Sequence, residues 1–126
     1  MAPICAVLAC VLSGLFTIYA QGPAERARAH FQEGVDAYKA NNLDNAEEEF
    51  RTALKIRPEY FEAREDLAIT LARKNQFTPA TEEIRKVLSA HPSSVQAAEA
   101  RVDLGLIFFL QGHSDSALEQ FRKAVD

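Results

Sequence analysis

Gly34, Ala68 and Gly105 recur at intervals of 34 and 37 residues. Three further columns keep the same two intervals: Ala46, Ala80 and Ala117; Phe50, Ile84 and Phe121; Ala53, Val87 and Ala124. Pro58 meets Pro92 in the same way. A chain so spaced must stack equivalent units. Small residues recur where two backbones cross closely, and bulky ones where a gap between layers must be filled.

Within a unit the spacing is helical. Phe31, Val35 and Tyr38 form one stripe, and Ala27, His30, Gly34 and Ala37 a second, so this helix is contacted on more than one side. Asn41-Asn42 breaks the run, because Asn tolerates the left-handed conformation that ends a helix. Asn75 and Gly112 hold the equivalent places. Asp44, Thr78 and Asp115 are then expected as N-caps, Asp44 with Glu47 as a capping box and Thr78 with Pro79 at the first helical position. Ile56-Arg57-Pro58 closes the second helix, since a residue before proline is pushed out of the helical region. The spacing predicts helices over Pro23–Lys39, Leu43–Ile56, Glu59–Lys74, Thr78–Ala90, Ser93–Gln111 and Asp115–Val125. Three extra residues around Val95–Ala97 lengthen the helix that Ser93 or Ser94 caps.

A helix–turn–helix period of about 34 residues is the signature of tetratricopeptide repeats. Over Ala27–Asp126 the chain resembles that family, on the small residues Gly34, Ala68 and Gly105, the alanines Ala46, Ala80 and Ala117, and the prolines Pro58 and Pro92. The resemblance implies an all-α fold, a right-handed α-α superhelix of antiparallel hairpins. Three repeats fall at about 27–60, 61–94 and 98–126, within one domain over 21–126. The chain departs from the family pattern at two places. His30, Arg64 and Arg101 stand where a large aromatic is usual, and Glu33 stands where Leu67 and Leu104 keep a leucine.

Met1–Ala20 carries no charged side chain and is rich in Ala, Val, Leu and Ile. It is expected to be a secretory signal peptide cut after Ala20, or an uncleaved membrane anchor. Val7-Leu8-Ala9-Cys10 looks like a lipobox, but one placed too early, with Val11–Ala20 still apolar behind it. The expected location is therefore outside the cytoplasm, periplasmic or secreted, with membrane contact only if the segment stays. Cys5 and Cys10 both lie in it, so a cleaved chain has no thiol and rests on helix packing alone.

A net charge of −4 argues against nucleic acid, which needs a basic face. His30, His91 and His113 match no metal spacing, and Ser114-Asp115-Ser116 reads as a cap rather than a nucleophile. Glu47-Glu48-Glu49 and Glu82-Glu83 read as solvated faces. No glycine-rich phosphate loop, GxSxG or HExxH is present. The expectation is a chain with no catalytic site, metal, cofactor or small-molecule substrate.

The resemblance implies a concave groove lined by the first helix of each repeat. The candidate partner-binding residues are Phe31, Val35, Tyr38 and Lys39 from the first copy, Glu65, Ile69 and Arg73 from the second, and Val102, Leu106 and Phe109 from the third. One branch of the family clamps a chaperone's terminal carboxylate there. The matching places hold Phe31, Val35, Asp66, Glu99 and Asp103, which would repel it. The expected function is a non-enzymatic scaffold holding a partner helix or peptide. The alternatives are an N-terminal regulatory array of a larger enzyme or secretion component, and a homo-oligomer joined through the apolar run Leu106–Leu110 of the third copy.

Overall fold

The structure, a computed structural model, describes residues 22–126. The expected signal or anchor and both cysteines lie outside the described residues. Six helices follow in order: α1 (Pro23–Lys39), α2 (Leu43–Ile56), α3 (Phe61–Arg73), α4 (Phe77–Ser89), α5 (Ser94–Leu110) and α6 (Ser114–Val125). They form three antiparallel hairpins, with no strand among the described residues. α5 is one turn longer than α3, which accommodates the three-residue insertion. Ser93 is its cap: Ser93 Oγ accepts from Gln96 N–H, and Gln96 Oε1 accepts from Ser93 N–H.

One turn joins the helices of every hairpin. Asn41 (φ 60°), Asn75 (φ 61°) and Gly112 (φ 86°) take the left-handed conformation. Their N–H groups donate to the carbonyls of Tyr38, Ala72 and Phe109, and the following N–H groups reach back to Ala37, Leu71 and Phe108. This double bond pattern satisfies carbonyls that a helix end otherwise leaves bare. It also moves the next helix start forward. Asn42, Gln76 and His113 are the N-caps, not Asp44, Thr78 and Asp115, which lie in the first turns. Only Asn42 caps with its side chain, accepting from Asn45 N–H at 3.3 Å. Pro79 is the third residue of α4, still where no intrahelical donor is needed. His91 (φ 53°) adds a fourth left-handed residue, after α4.

The hairpins stack so that α2 is covered by α3, and α4 by α5, while α6 packs on α5 alone. First helices touch each other, α1 with α3 and α3 with α5, but no second helix touches another. The stack is therefore closed on the first-helix side and splayed on the other, and that asymmetry is its curvature. Ala46, Ala80 and Ala117 are buried at the three hairpin crossings, with Phe50, Ile84 and Val87 filling the layers. Gly34 lies under Phe50 so closely that a Cβ there would sit 2.6 Å from the ring; at Gly105 the distance to Phe121 would be 2.5 Å. The second copy pairs Ala68 with the smaller Ile84.

Candidate partner-binding groove

The first-helix face carries two concavities in line. Between α1 and α3 lies a cavity of about 270 Å³ walled by Val35, Tyr38, Asp66 and Ile69, with Phe50 at its base and Lys39 at its edge. Between α3 and α5 lies a more open hollow, lined by Glu65, Ala98, Glu99, Val102 and Asp103. The structure thus brings six of the ten candidate residues to these two hollows. Leu106 and Phe109 continue on the exposed side of α5, Phe109 at 61%. Arg73 holds its guanidinium 4.8 Å from the Tyr38 ring centre and donates to Asn41 Oδ1 at 2.9 Å, tying two repeats at the groove's edge. Phe31 turns inward, its ring 5.9 Å from Phe50 and 5.0 Å from Tyr60, so much of it serves packing.

The side chains repeat by column across copies two and three. Glu62, Asp66 and Ile69 on α3 match Glu99, Asp103 and Leu106 on α5. Two parallel bands result, one acidic and one apolar. None of Glu62, Glu65, Asp66, Glu99 or Asp103 forms an ion pair among the described residues. Burial, then the neighbouring Asp103, Glu99, Glu62 and Asp66 charges, push the Glu65 carboxyl up to about 7. Burial and Glu62 raise Asp66 to about 6; burial, Asp66 and Glu99 raise Asp103 to about 6. Glu65 Oε1 is buried with no hydrogen-bond partner.

Second-helix acids behave oppositely, and here the solvated-face reading needs correction. Glu48 and Glu82 are exposed, but Glu83 is 7% exposed. Glu83 accepts from Arg64 at 2.7 Å and from Lys86 at 2.6 Å. Glu47 accepts from Lys74 at 2.7 Å and Arg51 at 2.9 Å. Burial would raise these carboxyls, and the cationic donors outweigh it and hold both below the ordinary value. His30 Nδ1 lies 2.6 Å from Glu49 Oε2. His30–Glu49 and Arg64–Glu83 share a 19-residue separation, so the column that departs from the family aromatic is an interhelical bridge. In the third copy the same 19-residue spacing falls on Arg101 and Gln120, which share no hydrogen bond among the described residues. The signal was present as three basic side chains each 19 residues before an acid or amide. Reading charge runs by helix face alone does not reveal it, because the partner lies on the neighbouring helix.

His30, Glu33 and Glu49 bring one donor atom each within 4.8 Å of one another, a reach that could hold a cation. The recurrence of the bridge with Arg64 in the second copy favours the interhelical role for His30 and Glu49.

The tetratricopeptide repeat family profiles match residues 37–102 and 80–126. The chain belongs to the tetratricopeptide repeat family. Among solved structures, the crystal structure of MamA superposes with a TM-score of 0.68 at 22% identity, over 81% of this chain and 58% of that one. This chain therefore spans less than two thirds of that chain's length. The N-terminal domain of stress-induced protein-1 (STI-1) from C. elegans superposes with a TM-score of 0.69 at 17% identity, over 84% of this chain and 87% of that one. Both likenesses are of fold. No curated protein matches the chain. Among the described residues, no helix is long and apolar enough to cross a membrane.

Proposed function

We propose that this repeat array is a protein-binding scaffold that holds a helix or extended segment of a partner against its first-helix face. The observation that supports it most is the pair of aligned hollows on that face, apolar on one side and lined with unpaired acids on the other. The family's repeats are interaction units, and stacked hairpins offer a preformed groove with little ordering left to do on binding. The apolar, uncharged Met1–Ala20 supports a location outside the cytoplasm, with the segment cleaved or kept as an anchor. N-terminal sequencing of the protein from its host tests that placement. A mature start at Gln21 is expected, whereas an intact Met1 on a freely dispersed protein would contradict it.

Capture of a partner from an envelope extract tests the groove. Val35→Asp and Tyr38→Asp, both at the cavity and outside the deep core, should abolish capture while leaving the helical signal intact. Retention by both variants would move the site off this face. Phe31, packed on Phe50 and Tyr60, is unsuited to the test because its loss would also loosen the fold.

A second reading is self-association through the third repeat. It is favoured by the apolar run Leu106–Leu110 on α5, where Leu106 (37%), Phe109 (61%) and Leu110 (46%) stay exposed. Solution mass up to high micromolar concentration tests it, and a strict monomer would end it.

A further inference from the structure

We infer that the groove selects a cationic amphipathic segment, with apolar side chains along one edge and Lys or Arg along the other. This deepens the groove reading above and rests on it.

Val35, Ile69 and Leu106 stand at the same place on α1, α3 and α5, so they form an apolar band crossing all three repeats. An occupant must offer it an apolar edge. Charge decides what else the occupant carries. Asp66 and Asp103 run beside the band, with Glu62 and Glu99 one turn earlier on the same helices and Glu65 between them. Five carboxylates on one side of a groove repel an acidic segment and raise the cost of a neutral one, which covers them without pairing them. Cations at helical spacing would pair them.

The pairing inside the molecule sharpens this. The second-helix acids Glu47, Glu49 and Glu83 each have a cationic or imidazole partner on, or at the cap of, a neighbouring helix. The five groove acids have none among the described residues. Lys39 and Arg73 lie at the groove's edge, and Arg73 is engaged with Tyr38 and Asn41. The buried, unbonded Oε1 of Glu65 is a further acceptor without a donor on this face. The fold thus pairs the buried and half-buried acids Glu47, Glu49 and Glu83 of the second helices and leaves the five groove acids open.

The test uses three synthetic amphipathic peptides with one leucine face, and Lys, Gln or Glu on the other face. Binding to the full chain is read by fluorescence anisotropy at low and at physiological salt. The Lys peptide is expected to bind at least tenfold more tightly than the Gln peptide, the Glu peptide not at all, and the Lys advantage to shrink with salt. It should vanish in the triple variant Glu65→Gln, Glu99→Gln, Asp103→Asn, and persist in the control Glu48→Gln, Glu82→Gln on the splayed side. Equal binding of Lys and Gln peptides, both lost in Val35→Asp, would overturn the charge selection and leave the groove reading standing. Lys preference unchanged in the triple variant and in Val35→Asp would overturn both. A rise in mass with concentration that the triple variant weakens would put a second copy in the groove and overturn the cationic segment.

Discussion

Gly34 and Phe50 are a single decision made by two residues sixteen apart. The same spacing joins Ala68 to Ile84 and Gly105 to Phe121, so the chain pairs glycine with phenylalanine and alanine with isoleucine. Gly34→Ala is expected to cost about 1–3 kcal/mol in urea unfolding, overpacking against the ring exceeding the gain in helix propensity. In a Phe50→Ile background the same change should be neutral or stabilising. An equal cost in both backgrounds would show that the glycine serves something else. The bridge residues invite a second test. Arg64→Met leaves Glu83 buried with Lys86 alone, and should cost about 1–3 kcal/mol. Lys123→Met, which removes the partner of a fully exposed acid, should leave the urea midpoint unmoved. The small–large columns were legible in the sequence because packing imposes a period. The bridges were not, because a charge on a helix reveals its partner only once the neighbouring helix is placed.

At the scale of the element, the turns decide the register. Asn41, Asn75 and Gly112 each end one helix, and the residue that completes the turn is already the cap of the next. These three left-handed positions are legible from residue type. Residue preference alone places the second and third N-caps two residues late, because Asp and Thr are better caps than Gln or His, and does not separate Asn42 from Asp44 in the first. The backbone pattern overrode that preference. Asn75→Val is therefore expected to cost about 1–2 kcal/mol, a β-branched residue being strained at φ 61°, whereas Asn75→Gly should be close to neutral. Thermal unfolding of the two variants checks this. Similar losses in both would place the role in the Asn75 side chain instead.

Across the whole molecule, the two sides of the stack respond oppositely to protons. Glu65, Asp66 and Asp103 hold folded pKa values of about 7, 6 and 6, above the ordinary 4.5 and 3.8. Between those limits the folded chain binds protons that the unfolded chain has released, so stability falls as pH rises from about 4 to about 7. Glu47 and Glu83 are lowered, and their contribution disappears as pH falls below about 4.5. The urea midpoint should thus be higher at pH 5 than at pH 7.5, and Glu65→Gln should flatten the difference. A midpoint that climbs from pH 5 to pH 7.5 would mean the groove acids are better solvated than their packing implies.

The superhelix is readable from the period, and the family resemblance gives the first-helix face only as an expectation. Six of the ten residues expected there line the hollows, whereas the inward packing of Phe31 and the opening of Asp66 to the cavity are visible only in the folded chain. That the first-helix face is the one that meets a partner is best tested by photocrosslinking in the host. A photoreactive residue is placed at Val35 or Ile69 on one face, and at Glu48 or Glu82 on the other. Adducts to another protein should form from Val35 and Ile69 and be absent from Glu48 and Glu82; adducts from the second pair alone would contradict the account.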